Sequence, residues 1–396
     1  VSENTAPDKD SAGLSASRGF YLGGLDGLRA LACCAVLFYH TLPDFVPGGF
    51  LGVDVFFVLS GFLITAILLR ERELKGRIDI PGFWLRRWRR LFPAVFTVVF
   101  VTVPVAAAVN LDLLAKLRTQ VFGAFTFSYN WFAIYTGDSY FTQALPRFFT
   151  NMWTLSVEQQ FYLIWPLLTV LIWRLPPRLR IFVPAALALL SMVLMAVYAD
   201  GAQDFTRAYM GTDCHAFGLM IGAAAAVFSR KALDPLPSAG RCVCPKPAGV
   251  TAFAGLFLLF AAFAKADGNS WVVYPWVTVA VCVFTAVICM VMTAPYQRFS
   301  VSRAIRTVLD IRVLRWVGIR SYGIYLWHWP LLVIWWEIAP RAAAWTALPA
   351  VGGLSFVCAA LSYRFVENPM RRRGIFPVLW IWCENLAQIC KGVEKE

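Results

Sequence analysis

Leu28-Arg-Ala-Leu-Ala-Cys-Cys-Ala-Val-Leu-Phe-Tyr-His40 is the stretch on which the fold reading turns. It is an apolar run with an arginine near one end and a histidine at the other, and no turn former interrupts it, so the expected conformation is helical. At about 1.5 Å of rise per residue, Arg29 and His40 lie ~16 Å apart along the axis. That is roughly half the depth of a hydrocarbon core of about 30 Å. Ionisable groups inside spans are costly, so such a pair marks a buried pathway or site.

The rest of the chain has the same character. Of 396 residues, 59% are hydrophobic and only 15% charged, with 16 Trp, against about 45–50% and about 25% in soluble domains. The apolar residues come in blocks of about 17–23, the length that crosses a bilayer. Spans are expected near 25–42, 53–69, 91–109, 152–173, 181–198, 212–228, 248–264, 271–293, 321–338 and 345–365. The fold class is therefore all-α, a polytopic membrane helical bundle of about ten transmembrane helices.

The formal net charge of +13 is a matter of topology rather than a sign of nucleic acid. With the N-terminus cytoplasmic, thirty of the 36 Lys and Arg fall on the inner side, as the positive-inside rule requires. Lys116, Arg118, Arg147, Arg207, Lys265 and Arg341 are left outside, and both termini are read as cytoplasmic. Residues 119–137 are apolar but carry Ser128 and Asn130, and counting them as a crossing would put Arg174, Arg178 and Arg180 outside. They are read as a re-entrant or surface-lying outer segment between the third and fourth spans. Such backbone is tolerated at membrane depth only under cover of protein or beside a wet cavity.

Residues 1–23 read as a disordered cytoplasmic tail without the apolar core of a signal peptide. Residues 24–373 read as the membrane domain. The tail, 374–396, holds a short apolar run at 376–383, interfacial or part of a truncated helix. The ten cysteines indicate no disulfide framework, and Cys242-Val-Cys244 has no nearby histidine, so no metal site is expected.

Three histidines, His40, His215 and His328, all fall in expected spans. His40 is the candidate catalytic group because it shares a helix with Arg29 and because imidazole exchanges protons near neutral pH. Among carboxylates in or beside spans (Asp26, Asp54, Glu158, Asp213, Glu337), Glu158 stands out, flanked by Ser156, Gln159 and Gln160. A His40–Glu158 pair across helices is expected for catalysis, with a purely structural hydrogen bond as the alternative. Arg86-Arg-Trp-Arg-Arg90 serves either as an anchor to anionic lipid or, with Arg29, as a phosphate site. Trp131, Tyr135, Tyr140 and Trp153 are candidates for stacking on sugar faces.

These segments resemble, in order, the motifs of the acyltransferase-3 family of integral membrane O-acyltransferases. The resemblance rests on Leu25-Asp-Gly-Leu-Arg29 with His40, Gly52-Val-Asp-Val-Phe-Phe-Val-Leu-Ser-Gly61-Phe-Leu-Ile-Thr65 and Arg86-Arg-Trp-Arg-Arg-Leu-Phe-Pro93. It continues through Trp153-Thr-Leu-Ser-Val-Glu158-Gln-Gln-Phe-Tyr-Leu163, Ser321-Tyr-Gly-Ile-Tyr-Leu-Trp-His-Trp-Pro330 and Val366-Glu-Asn-Pro369. It implies transfer of an acetyl or other short acyl group from cytoplasmic acetyl-CoA (acyl-CoA) to a hydroxyl outside. The acceptor would be a cell-surface glycan, peptidoglycan or a glycosylated metabolite, and the location the cell membrane. Arg29 and His40 become the expected essential pair, Arg86, Arg87 and Arg90 the arginine motif, and Glu158 the polar motif of the fourth span. The family usually has Glu where Gln159 stands and commonly Arg where His215 stands, so no role is carried onto His215. A stand-alone form without the C-terminal esterase-like domain of many Gram-positive relatives is expected.

Two routes are open for His40: general base for the acceptor hydroxyl, or covalent carrier of the acyl group. A secondary transporter with intramembrane ionisable residues is the rival class. The halves show no repeat of the kind many transporters carry.

Overall fold

The computed structural model describes residues 22–140, 147–229, 248–293, 300–375, 377–378, 380 and 384. The expected N-terminal tail up to residue 21, the Cys242-Val-Cys244 loop and most of the C-terminal tail lie outside the described residues. Among the described residues there is helix and no strand. All ten expected segments are helical, although their ends and continuity differ from the reading.

The first three helices are α1 (Leu25–Thr41), α2 (Gly52–Lys75) and α3 (Ile80–Val109). α3 begins eleven residues before the expected span. Asp79 accepts a hydrogen bond from the Gly82 amide at 3.0 Å, and Pro81 sits in the first turn. Both favour helix initiation there. The arginine run is thereby helical, and Arg87 and Arg90, three apart, share a face that Arg86 and Arg89 do not.

The segment 119–137 forms two short helices, α4 (Leu117–Thr126) and α5 (Tyr129–Tyr135). At about 15 and 10 Å neither is long enough to cross. They fold back on one another at Phe127, whose φ is +52°. A Cβ on Gly123 would lie 2.9 Å from the Tyr129 Cα, so the hairpin closes only around a glycine. The Phe127 carbonyl accepts from Gln160 Nε2 at 3.0 Å, and the Tyr129 amide donates to Ser156 Oγ at 3.0 Å. The broken backbone is thus satisfied by protein, as burial away from water demands.

Beyond it come α6 (Met152–Ile172), α7 (Phe182–Ala199) and the short α8 (Thr206–Met210). The expected sixth span is broken into α9 (Thr212–His215) and α10 (Phe217–Phe228). α11 (Ala248–Lys265), α12 (Trp276–Thr293) and α13 (Ser300–Leu309) lead to α14 (Arg312–Ile338), which starts nine residues before the expected span. The last span joins α15 (Ala344–Ala347), α16 (Gly353–Ser362) and α17 (Asn368–Arg373) through π-helical turns at Leu348–Gly352 and Tyr363–Glu367.

Among the described residues, six helical stretches are long and apolar enough to cross a bilayer: Gly49–Lys75, Ile80–Val109, Met152–Ile172, Phe182–Ala199, Trp271–Thr293 and Ala344–Arg373. Their outward faces carry Phe96 and Phe100, Val193 and Val197, and, on α11, Phe253 and Phe257, all exposed at i, i+4 spacing. A belt of this kind is unfavourable against water and suited to acyl chains.

Inside the belt, α1 packs on α14 and α2 on α10. Glycines permit both approaches. A Cβ at Gly318 would sit 1.8 Å from the Asp26 carbonyl oxygen, and one at Gly61 would sit 1.9 Å from that of Leu219. Small residues let helix backbones meet where no apolar driving force separates lipid from protein. Gly61→Val is expected to cost about 2 kcal/mol or more through overpacking. Gly353→Ala, where no atom lies within 4 Å of the added carbon, is expected to be neutral. Thermal unfolding of the two purified variants in detergent checks the contrast.

Candidate functional site

A cavity of about 770 Å³, its open mouth included, lies between α1, α2, α3, α6 and α14. Arg29, Arg87, Arg90, Ser60, Glu158, Tyr162 and Tyr322 supply its polar lining. Val53, Phe56, Phe57, Leu63, Ile64, Leu91 and Leu155 supply apolar wall, with Thr154 and Tyr325 also in contact. Asp26 is 3.0 Å from Arg29 Nη1. Arg87 and Arg90 have no carboxylate within 4 Å among the described residues. Arg87 instead lies over the rings of Phe83 and Tyr162, 5.6 and 5.7 Å from their centroids. Glu158 accepts a hydrogen bond from Ser60 Oγ at 2.7 Å and a long one, 3.5 Å, from the Tyr162 hydroxyl. Three guanidinium groups around one cavity carboxylate leave a surplus of positive charge facing the space, an arrangement suited to a polyanion.

Two prolines shape the walls. Pro166 in α6 denies the Tyr162 carbonyl its helical donor. Trp84 Nε1 takes that place at 3.1 Å, tying α3 to α6 beside the arginines. Pro330 in α14 does the same to the Leu326 carbonyl, and Asn151 Nδ2 reaches it at 3.4 Å and the Tyr325 carbonyl at 2.9 Å. The Tyr325 hydroxyl accepts from Thr154 Oγ1 at 2.9 Å and donates to the Asn151 carbonyl at 3.0 Å. Phe56, Thr154 and Tyr325 thus form one wall of the cavity.

His40 does not line the cavity. It sits near the opposite end of α1 from Arg29, half-buried. Its Nδ1 is 3.2 Å from Nε2 of the buried His328, and the two rings stack at 5.2 Å and 27°. His328 Nδ1 in turn lies 2.6 Å from the Tyr325 carbonyl. The wall residue Tyr325 therefore supports the histidine pair through its backbone. Trp329 meets His40 edge-on at 4.8 Å and donates its indole N–H to the Arg147 carbonyl at 2.9 Å. Arg147 is paired with Asp138 at 2.7 Å, and that carboxylate holds its guanidinium above the usual range. The Tyr140 hydroxyl stands 3.5 Å from His40 Nε2.

Three expectations need correction. The His40–Glu158 pair does not form: Glu158 turns to Ser60 and Tyr162 on the arginine side, and His40 turns to His328. Arg86 is not with Arg29, Arg87 and Arg90. It points away from the cavity, towards Glu71 at 3.4 Å and Asp79 at 3.6 Å, because neighbours in a helix are turned about 100° from each other. Trp153 is fully buried and cannot meet a sugar, and Tyr140 packs against it. Ser156 and Gln160, part of the polar run around Glu158, anchor the hairpin of α4 and α5.

His215, left without a role, is wholly buried with its Nε2 2.9 Å from Asp54 Oδ1 and its ring between Trp153 and Phe217. His328 is the residue that sequence reasoning underrated. Its signal was a span histidine two residues before a proline, where freed carbonyls collect polar partners.

The acyltransferase domain model matches residues 22–364, and the chain belongs to that acyltransferase-3 family. It is 37% identical over 361 residues to the peptidoglycan O-acetyltransferase OatA of Listeria monocytogenes, covering 89% of this chain and 56% of the relative. It is 35% identical to the putative peptidoglycan O-acetyltransferase YrhL of Bacillus subtilis, covering 89% and 55%. It is 33% identical to the O-acetyltransferase OatA of Staphylococcus aureus, covering 89% and 58%. The chain thus spans a little over half the length of these curated relatives. No solved structure matches it.

The burial of Asp54 and His215 gives a structural prediction. Asp54→Ala strands the His215 ring and is expected to cost about 3–5 kcal/mol, whereas replacing both by apolar residues of similar volume restores most of it. Melting temperatures of the purified single and double variants check this.

Proposed function

We propose that this acyltransferase-family chain is a membrane O-acetyltransferase. It takes an acetyl or other short acyl group from acyl-CoA and delivers it to a hydroxyl of a cell-wall glycan. The observation that carries the reading is the cavity in which Arg29, Arg87 and Arg90 converge with a single carboxylate, Glu158, at the far end of α1 from His40. Planar guanidinium groups bind phosphate in bidentate fashion, so this end suits the phosphates of coenzyme A. The apolar stretch beyond suits its thioester arm. The positive-inside distribution of Lys and Arg supports a cytoplasmic donor and an acceptor on the opposite face of the membrane. The relatives' names support peptidoglycan as the acceptor.

The chemistry falls to His40. Its imidazole accepts the proton of the acceptor hydroxyl while the oxygen attacks the thioester carbon. The carbon–sulfur bond then breaks, and the sulfur leaves with the proton returned by His40. In the covalent variant of this reading His40 first takes the acyl group itself. Glu158 serves on the donor side, balancing the guanidinium charge rather than activating the base. The wall of Phe56, Thr154 and Tyr325 separates the cavity from His40 and must open for transfer. The two hydrogen bonds that hold the Tyr325 hydroxyl contribute only about 1 kcal/mol each. The binding of a polyphosphate donor readily offsets that.

Arg87→Ala and Arg90→Ala are expected each to weaken coenzyme A binding tenfold or more, about 1.4 kcal/mol. Arg86→Ala, on the far face, is expected to change it less than about threefold. Calorimetry on protein in nanodiscs reads both, and equal effects at all three positions would refute the assignment of the cavity. His40→Ala is expected to abolish acetyl transfer to glycan fragments while leaving coenzyme A affinity intact. Retained turnover would overturn the role of His40. An acylated protein that is trapped from the native chain and missing from His40→Ala would select the covalent route.

A further inference from the structure

The histidine pair carries more than proximity, because its hydrogen bonds leave only one neutral proton arrangement. A carbonyl oxygen accepts and never donates. The 2.6 Å contact between His328 Nδ1 and the Tyr325 carbonyl therefore places a proton on Nδ1 of His328. His328 is 1% exposed, and its ring nitrogens meet the Tyr325 and Ile324 carbonyls and an imidazole but no carboxylate among the described residues. A second proton would bury an unpaired cation, which is strongly unfavourable. Neutral His328 thus presents a bare Nε2, and the 3.2 Å contact is then a hydrogen bond donated by His40 Nδ1, beside the Val36 carbonyl one turn earlier in α1 that also accepts from the His40 ring.

With Nδ1 protonated, neutral His40 keeps its lone pair on Nε2. That atom faces away from His328, towards the Tyr140 hydroxyl at 3.5 Å. The ring has little freedom to flip, with His328 joined to one edge by the hydrogen bond and Trp329 packed against it at 4.8 Å.

We propose that His328 is a positioning residue that fixes the tautomer of His40, so that Nε2, on the side of Tyr140, is the atom that acts on the acceptor. This rests on the acyltransferase reading above. The relay runs from the Tyr325 carbonyl through His328 to His40, and has the form of a catalytic triad in which a neutral imidazole replaces the carboxylate. When Nε2 takes the acceptor proton, His40 becomes an imidazolium whose Nδ1–H is already donated to His328. That proton stays on His40, and the one on Nε2 passes to the departing sulfur. No charge has to be buried beside His40 in the resting state.

Only three histidines occur in the chain, so nitrogen-15 histidine labelling of the protein in nanodiscs resolves each ring by NMR without any substrate. The expected result is a protonated Nδ1 and a bare Nε2 on both His40 and His328. A protonated Nε2 on neutral His40 overturns the proposal, whether or not the protein proves to bind coenzyme A. Two variants add a kinetic arm. In His328→Gln the amide donates to the Tyr325 carbonyl and its oxygen accepts from His40 Nδ1, so turnover within about tenfold of native and an unchanged His40 tautomer are expected. His328→Leu is expected to lose about 10²-fold or more in kcat, the scale of general-base catalysis, with KM for acetyl-CoA unchanged and the His40 tautomers mixed. Native kcat in His328→Leu, or a collapse in His328→Gln as deep as in His328→Leu, refutes it. Should His328→Leu fail to fold, the NMR of the native protein still decides.

Discussion

Backbone carbonyls enclosed in an apolar bundle cannot turn to water, and two such groups in α14 organise one end of this molecule. Pro330 has no N–H to offer the Leu326 carbonyl, and its ring crowds the turn that contains it. Asn151 answers that deficit and contacts the Tyr325 carbonyl as well, which joins the start of α6 to the middle of α14. His328 spends its one proton on the same Tyr325 carbonyl and so turns a bare nitrogen towards His40. Without the proline, the Leu326 carbonyl would have its helical donor, and the Asn151 contact with it would not be required by the backbone. The same device recurs at Pro166, where Trp84 fills the vacancy and fixes α3 beside the cavity.

The other end obeys a different constraint. Charges held between apolar helices must be paired, hydrogen-bonded or offered to a ligand. Asp26 answers Arg29 locally, one turn away. Glu158, between Ser60 and Tyr162, faces the same cavity as the arginines without closing on any of them. This incomplete neutralisation distinguishes the cavity from the Asp54–His215 pair, which is wholly buried and closed upon itself by aromatic rings. Of these two buried polar clusters, one leaves guanidinium charge facing a cavity and the other holds α2 against the segment that leads into α10.

Between the two ends lies a thin partition. Tyr325 belongs to both sides, its ring to the cavity wall and its carbonyl to the histidine relay. A side chain held by two ordinary hydrogen bonds moves far more readily than the backbone behind it. Opening the partition by rotating the ring therefore leaves the proton arrangement of the pair undisturbed. Glycine seams at Gly318 and Gly61 keep the surrounding helices too close to rearrange as cheaply.

Much of this was legible in the sequence because it is one-dimensional physics. Apolar block length located helical segments, six of which are long and apolar enough to cross among the described residues, and helix rise put Arg29 and His40 towards opposite ends of α1. The Arg87–Arg90 spacing, too, was readable once the run was known to be helical, but the Asp79 cap that makes it so lies outside any hydrophobic pattern. Tertiary structure alone decided the partners. The sequence set His40 and Glu158 at comparable depth, but Glu158 lines the cavity at the Arg29 end of α1, since the tilt, axial shift and rotation of each helix are fixed by packing against every neighbour at once. His40 was turned towards α14 and its His328, and Glu158 towards α2 and the arginines.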